Sequence, residues 1–155
     1  MKMLSKNWLV YKIHDAYLGK KVKAFAKGKL LDIGCGEKPY AETVKPYVTE
    51  HIGVDHQGTL HDKSNIDRVG TAYEIPAEDG EFDSVICTAV LEHLEEPDKA
   101  IAECNRVLRP EGVAIYTTNL FWHLHEEPRD FYMHAKYGLK HLFEKIETIS
   151  KWFPK

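Results

Sequence analysis

Short apolar runs ending in polar or glycine-rich turns alternate along this chain with longer segments whose apolar residues recur at helical spacing. Leu30-Leu31-Asp32-Ile33, Ile52-Gly53-Val54-Asp55, Ile66-Asp67-Arg68-Val69, Phe82 to Thr88 and Val113 to Thr118 are the runs that read as strands. Their apolar residues are nearly continuous, as strands of a parallel sheet buried on both faces require. Met1 to Lys27 reads as helical: Leu9, Ile13, Ala16 and Tyr17 share one face, and Val22, Phe25 and Ala26 continue the stripe. Pro39 suits a first helical turn ahead of Tyr40 to Val48, and Pro97 opens a helix carrying Ala100, Ile101, Cys104, Val107 and Leu108, which Pro110-Glu111-Gly112 ends. Tyr137 to Glu144 is a further helix and Lys145 to Ser150 a last strand. Strands alternating with helices predict an α/β fold: a doubly wound, mostly parallel sheet with helices on both faces.

Two of the strand ends carry chemistry. After Ile33, Gly34 and Gly36 bracket Cys35, where glycine marks a sharp turn or a ligand lying close to the main chain. Asp32 stands where the first strand ends, the position at which open α/β sheets bind ligands. Asp55, roughly 20 residues further on, ends the second strand, where a carboxylate can accept hydrogen bonds from both ribose hydroxyls of a nucleoside. A nicotinamide dinucleotide fingerprint requires a third glycine at position 39, where this chain has Pro39. The pattern therefore favours a ligand with a ribose and no pyrophosphate.

Composition narrows the class without naming it. A length of 155 residues suits one domain with a real core, and 43% hydrophobic with 29% charged residues is ordinary for a globular chain. A formal net charge of -3 gives no electrostatic case for nucleic acid or anionic lipid. Cys35, Cys87 and Cys104 are scattered and lack metal-ligand spacing, which points to reduced thiols. No apolar run approaches membrane-spanning length and no signal peptide is evident, so a cytoplasmic location without membrane or nucleic-acid partners is expected.

Leu31-Asp-Ile-Gly-Cys-Gly36, Gly53-Val-Asp55, Phe82-Asp-Ser-Val85, Leu91-Glu-His93 and Arg106-Val-Leu-Arg-Pro110 follow one another in an order that resembles the class I S-adenosylmethionine-dependent methyltransferases, of the type 11 kind. The resemblance covers Lys29 to Gly112 and continues more weakly to Leu142. It implies a Rossmann-like sheet, S-adenosyl-L-methionine as cofactor, and methyl transfer to a small-molecule acceptor by in-line displacement. One domain, 1–155, would then comprise a helical segment at 1–28, a cofactor-binding core at 29–118 and a substrate-side region at 119–155. Asp32, Gly34, Cys35 and Gly36 would lie at the methionine side and Asp55 with His56 on the ribose. Thr71 and Ala72 would stand at the adenine, where relatives often have an acid. Cys87 and Thr88 would close the crevice at the end of the fourth strand. Ile75 and Pro76 either pack on adenine or close a turn.

Beyond Thr118, the stretch from Asn119 to His134 is dense in histidines and aromatics. Asn119, His123, His125, Arg129 and Tyr132 are candidates for acceptor recognition, since loops on a rigid scaffold commonly carry binding groups. His-x-His at 123 and 125 offers two metal ligands without a clear third, so no metal is expected. Sulfonium methyl transfer needs alignment above all and a base only for a protonated acceptor. His93, His123 and His125 are the candidates, and none can be chosen from sequence. Tyr11 and Tyr17 are kept as neighbours of the site, and Glu92 is read as structural. A binding domain without turnover, or a nicotinamide oxidoreductase, remain the other function classes. Relatives usually end with a sixth and an antiparallel seventh strand. Here Lys151 to Lys155 contains Pro154, a poor strand residue, so a sheet lacking its seventh strand is expected, with a homodimer or a missing segment completing it.

Overall fold

A computed structural model describes residues 7–59, 62–120 and 122–144. Helix α1 spans Trp8–Phe25, followed by strand β1 (Lys29–Ile33), the short helix α2 (Ala41–Val44) and strand β2 (Glu50–Asp55). Strand β3 (Arg68–Val69), strand β4 (Phe82–Thr88), helix α3 (Pro97–Val107), strand β5 (Leu108–Thr117) and helix α4 (Lys136–Glu144) complete the described elements. The five strands form one sheet in the order β3-β2-β1-β4-β5, and every pairing is parallel. This is the doubly wound, Rossmann-like arrangement that the strand–helix alternation predicts.

Alternation along the strands divides the core into two. Leu31, Ile33, Val54, Phe82, Val85 and Cys87 face α3 and α4, where Ile101, Cys104, Val107 and Phe143 meet them. Leu30, Ile86 and Ile115 face the other way, against Leu18 and Val22 of α1. Helices thus cover both faces, and the central strands have no solvated side. Their sequences have to be apolar throughout, which explains why β4 is so plain in the chain.

Several boundaries differ from the sequence pattern. The second helix has only four residues, because the chain turns at Lys45–Tyr47 before entering β2. Pro110 to Gly112 does not end α3, which stops at Val107. β5 already begins at Leu108, pairs with Phe82, and resumes pairing at Ser84↔Val113 after an outward loop. Glu111 takes a left-handed φ of 63° in that loop. The apolar stripe of α1 is also only half used. Leu18, Val22 and Ala26 pack on the sheet, whereas Leu9, Ile13, Tyr17 and Phe25 are exposed. Leu18, Val22 and Ala26 repeat every fourth residue and define the contact line; the amino-terminal half of the helix runs on past it. The expected strand over Lys145 to Ser150, and the tail with Trp152, Phe153 and Pro154, lie outside the described residues.

At the opposite end of the sheet from the glycine turn, charge holds three strands in register. Glu81, just before β4, accepts two hydrogen bonds from the Arg68 guanidinium, at 3.0 and 2.6 Å, and one from Lys29 Nζ at 2.8 Å. The Arg68 hydrogen bonds lower the Glu81 carboxyl from an ordinary 4.5 to about 2. A carboxyl lowered by folding stabilises the native state above its unfolded value, and that stability is lost as pH falls through the folded one. Glu81→Gln should therefore cost about 2 kcal/mol at pH 7, the order of a charge-assisted hydrogen bond, and much less at pH 2. Urea unfolding at the two pH values measures it; equal losses at both would mean that the pairing contributes nothing.

Candidate functional site

The end of β1 turns sharply because its backbone requires it. Gly34 and Gly36 have φ of 67° and 48°, and Lys38 follows in the same left-handed region at 52°. A Cβ on Gly34 would lie 2.5 Å from a methyl of Val90, so the turn is wedged against the segment leaving β4. The amides of Gly34 and Cys35 both donate to the Val54 carbonyl, at 2.9 and 3.2 Å, and Lys38 N donates to Cys35 O at 2.8 Å. Gly36 N donates to Asp55 Oδ2 at 2.8 Å. With these amides committed internally, the turn offers little to a pyrophosphate, in agreement with the missing third glycine.

Asp55 is 6% exposed and sits at the carboxyl end of β2. Its other oxygen accepts from His56 N at 2.7 Å, so each carboxylate oxygen has one backbone donor and a lone pair to spare. That leaves a fixed, anionic acceptor pair, the chemistry a vicinal ribose diol fits. Asp32, on the same face, is 2% exposed and takes a hydrogen bond from His51 Nε2 at 3.0 Å. Burial raises its carboxyl above the ordinary range, with the His51 hydrogen bond acting against that. His51 carries no local signal in the sequence, being simply the residue before Ile52 in β2. The shared face is set by register, since Asp32 pairs opposite Gly53 and His51 lies one pleat back.

Lys38 lies across Gly53, reaching the His51 carbonyl at 3.3 Å and Asp67 Oδ2 at 2.5 Å. A side chain at Gly53 would collide with Lys38 and, at 2.7 Å, with Cys35 Sγ. The Gly-x-Gly turn is thereby fastened to β2 from outside, which sequence reasoning did not foresee. Helix α1 closes the crevice from above: His14 Nε2 is 2.9 Å from Thr117 Oγ1, and Tyr40 Oη is 3.2 Å from His14 Nδ1 and donates to Asp15 at 3.2 Å. Tyr11 meets Trp122 edge-on, with ring centres 5.8 Å apart. Tyr11 is therefore a neighbour of the loop after β5, whereas Tyr17 is 65% exposed and belongs to the open part of α1.

Other expected cofactor contacts are placed differently. Cys35 is buried toward Gly53 and Lys38, and burial pushes its thiol up to about 12. Cys87 points into the α3 side of the core beside Cys104, not into the crevice; alternation along β4 sends it there with Val85. The Thr71 hydroxyl caps its own turn, accepting from Tyr73 N and Glu74 N at 3.3 and 3.1 Å. Ala72 packs against the core, and Ile75, 3% exposed, is inside it, so Ile75 closes the turn. Thr88 is half-buried at the end of β4, opposite Thr117. The four-residue α2 is too short to present a helix dipole to a carboxylate.

At the loop after β5, Glu92 is the organising residue. It is 1% exposed, accepts from Thr118 Oγ1 and Asn119 Nδ2 at 2.9 Å each, and its carbonyl accepts from Phe131 N and Tyr132 N at 2.8 and 3.2 Å. The loop after β5 is thus clamped to the turn after β4. Asn119 spends its amide on that clamp, and Tyr132 donates its hydroxyl to Glu95 O at 3.0 Å. His93 and His125 are brought together, ring centres 4.7 Å apart, with His123 stacked on Trp122 and Arg129 exposed nearby.

A family model described as a methyltransferase domain matches residues 31–116, more than half of the chain. The chain belongs to this methyltransferase family. Over 137 residues it is 31% identical to a ubiquinone biosynthesis O-methyltransferase of Dinoroseobacter shibae, covering 82% of this chain and 50% of that protein. Over 98 residues it is 33% identical to the uncharacterized methyltransferase YcgJ of Bacillus subtilis, covering 56% and 39%. The crystal structure of YcgJ superposes with a TM-score of 0.66 over 84% of this chain and 65% of that one, at 23% identity. A S-adenosylmethionine-dependent methyltransferase from Archaeoglobus fulgidus gives a TM-score of 0.68 over 86% and 67%, at 21% identity. These structures share the fold. The methyltransferase chain spans about half the length of the curated relatives it matches. S-adenosylmethionine is the cofactor that comes with the family, and the Asp55 diol acceptor beside a turn closed to phosphate fits it.

His51→Ala leaves the buried Asp32 carboxyl without its donor. A loss of about 1–3 kcal/mol is expected, the cost of an unsatisfied buried polar group. Urea unfolding at pH 7 measures it, and no loss would mean that Asp32 finds water or another donor.

Proposed function

We propose that this methyltransferase domain transfers the methyl group of S-adenosylmethionine to a small-molecule acceptor, with an oxygen as the accepting atom. The observation that carries the reading is Asp55, a nearly buried carboxylate fixed by Gly36 N and His56 N at the end of β2, with lone pairs left for a ribose. The name of the Dinoroseobacter relative supports an oxygen acceptor. When bound, the cofactor supplies an activated methyl on a cationic sulfur.

The chain's own part is placement. Asp55 would hold the ribose, and Gly34 and Gly36 would let the methionine part lie close to the main chain. Asp32 and Asp55 supply negative charge near a ligand bearing ammonium and sulfonium groups. His14, Tyr40, Tyr11 and Trp122 roof the crevice and would exclude water from the reacting atoms. His93, His123, His125 and Arg129 stand on the acceptor side. An in-line displacement needs the acceptor aligned and close to the methyl, and a clamped loop serves that better than a free one.

Asp55→Ala should weaken S-adenosylhomocysteine binding by about 1.5–3 kcal/mol, the scale of hydrogen bonds to a charged group. Calorimetry on the folded variant decides it, and unchanged affinity would remove the ribose role. Replacing the exposed Arg129 by Ala should lower turnover with labelled methyl donor and leave S-adenosylhomocysteine affinity within about twofold. An acceptor screen that finds binding of the cofactor product but no methyl transfer to any acceptor would make the domain a binding module.

A further inference from the structure

The clamp around Glu92 has a property that methyl transfer does not call for. Glu92, His93 and His125 each offer a donor atom, and these lie within 4.8 Å of one another. Of the His-x-His pair that the sequence offers at this loop, only His125 belongs to the cluster. Glu92 and His93 come from the turn after β4, about 30 residues earlier, and become its neighbours only through the hydrogen bonds of Glu92 to Thr118, Asn119, Phe131 and Tyr132.

The surroundings of each imidazole set its tautomer. His93 Nδ1 is 2.6 Å from the Arg129 carbonyl, which can only accept, so Nδ1 carries the proton. His125 Nδ1 faces two acceptors, Asp130 Oδ2 and the His123 carbonyl, each at 3.2 Å. In both neutral rings the lone pair is therefore on Nε2, and both have the outer partner that metal-binding histidines use: a carbonyl for one, a carboxylate for the other. The Asp130 side chain is itself only 7% exposed and also accepts from His125 N at 3.1 Å, so the second ring is held in place.

Charge supplies an independent argument. Glu92 is 1% exposed, and its side-chain partners, a hydroxyl and an amide, are neutral. Among the described residues no lysine or arginine forms an ion pair with it. A buried carboxylate in such a setting lacks the positive partner that ordinarily offsets its desolvation.

We propose that Glu92, His93 and His125 form a binding site for a divalent first-row transition ion. Two imidazoles and one carboxylate suit zinc, cobalt, manganese or iron, whereas magnesium and calcium favour oxygen donors. Donors at about 2.1 Å from a tetrahedral ion lie about 3.4 Å apart, so the site closes with small side-chain rotations. Three protein ligands leave a fourth position for water or a substrate oxygen. Its use on an acceptor oxygen rests on the proposed function above; the binding of the ion does not.

The test is metal binding by the full chain, freed of any affinity tag and of metal, without cofactor. Titration with cobalt(II), followed by its visible d–d absorption, and with zinc(II) by calorimetry, should show one site. His93→Gln and His125→Gln should each weaken it at least tenfold, and Asp130→Asn about tenfold through the outer partner. Circular dichroism and S-adenosylhomocysteine affinity, read on the same samples, separate loss of the metal site from unfolding and from failure of the cofactor reading. Binding weaker than about 100 µM, or binding unchanged in both histidine variants, would overturn the proposal.

Discussion

Between β3 and β4 the chain crosses from one side of β1 to the other, and the site depends on that reversal. After β1 the sheet grows outward through β2 and β3; after β3 the chain returns and adds β4 and β5 on the far side. The connections leaving β1 and β4 therefore pass to opposite faces and leave a crevice at their carboxyl ends. Gly34 against Val90 is the tight point of this divergence, with no room for a side chain. Asp32, Asp55, Thr88 and Thr117 reach the crevice because their strands end together in parallel register. An antiparallel pair would send alternate strand ends to opposite edges of the sheet.

What the chain reveals about itself follows from this geometry. Strands buried on both faces have to be nearly continuous apolar runs, so β1, β2 and β4 could be found without knowing their partners. The glycine turn and Asp55 were equally legible, because positive φ and a strand-end carboxylate restrict residue type. Face assignment was harder. Cys87 and Thr88 are adjacent at a strand end, but the pleat sends Cys87 into the core beside Cys104. The position of Thr71 in the chain does not reveal that its hydroxyl is taken by the turn it starts. The α1 stripe failed for a third reason: periodicity shows which residues can share a face, not how far the sheet extends beneath them. His14, Tyr40 and His51 gave no signal at all, since each acquires its partner from a distant segment.

Two buried carboxylates share one face of the sheet at the crevice, and their surroundings bear on the chemistry. Asp32 has an imidazole against it and Asp55 close enough for their charges to oppose one another, which adds to the burial that raises the Asp32 carboxyl. Lys38 lies near but is paired with Asp67, so its charge is shared. The crevice side therefore gathers two carboxylates, Asp55 held by backbone amides and Asp32 by the His51 imidazole. A ligand bearing a sulfonium and an ammonium would relieve that repulsion on binding; its thioether product, neutral at sulfur, would retain only the ammonium. Under the proposed function, the same carboxylates would favour the methyl donor over its demethylated product. Such an arrangement would help product leave, at the cost of holding like charges close together.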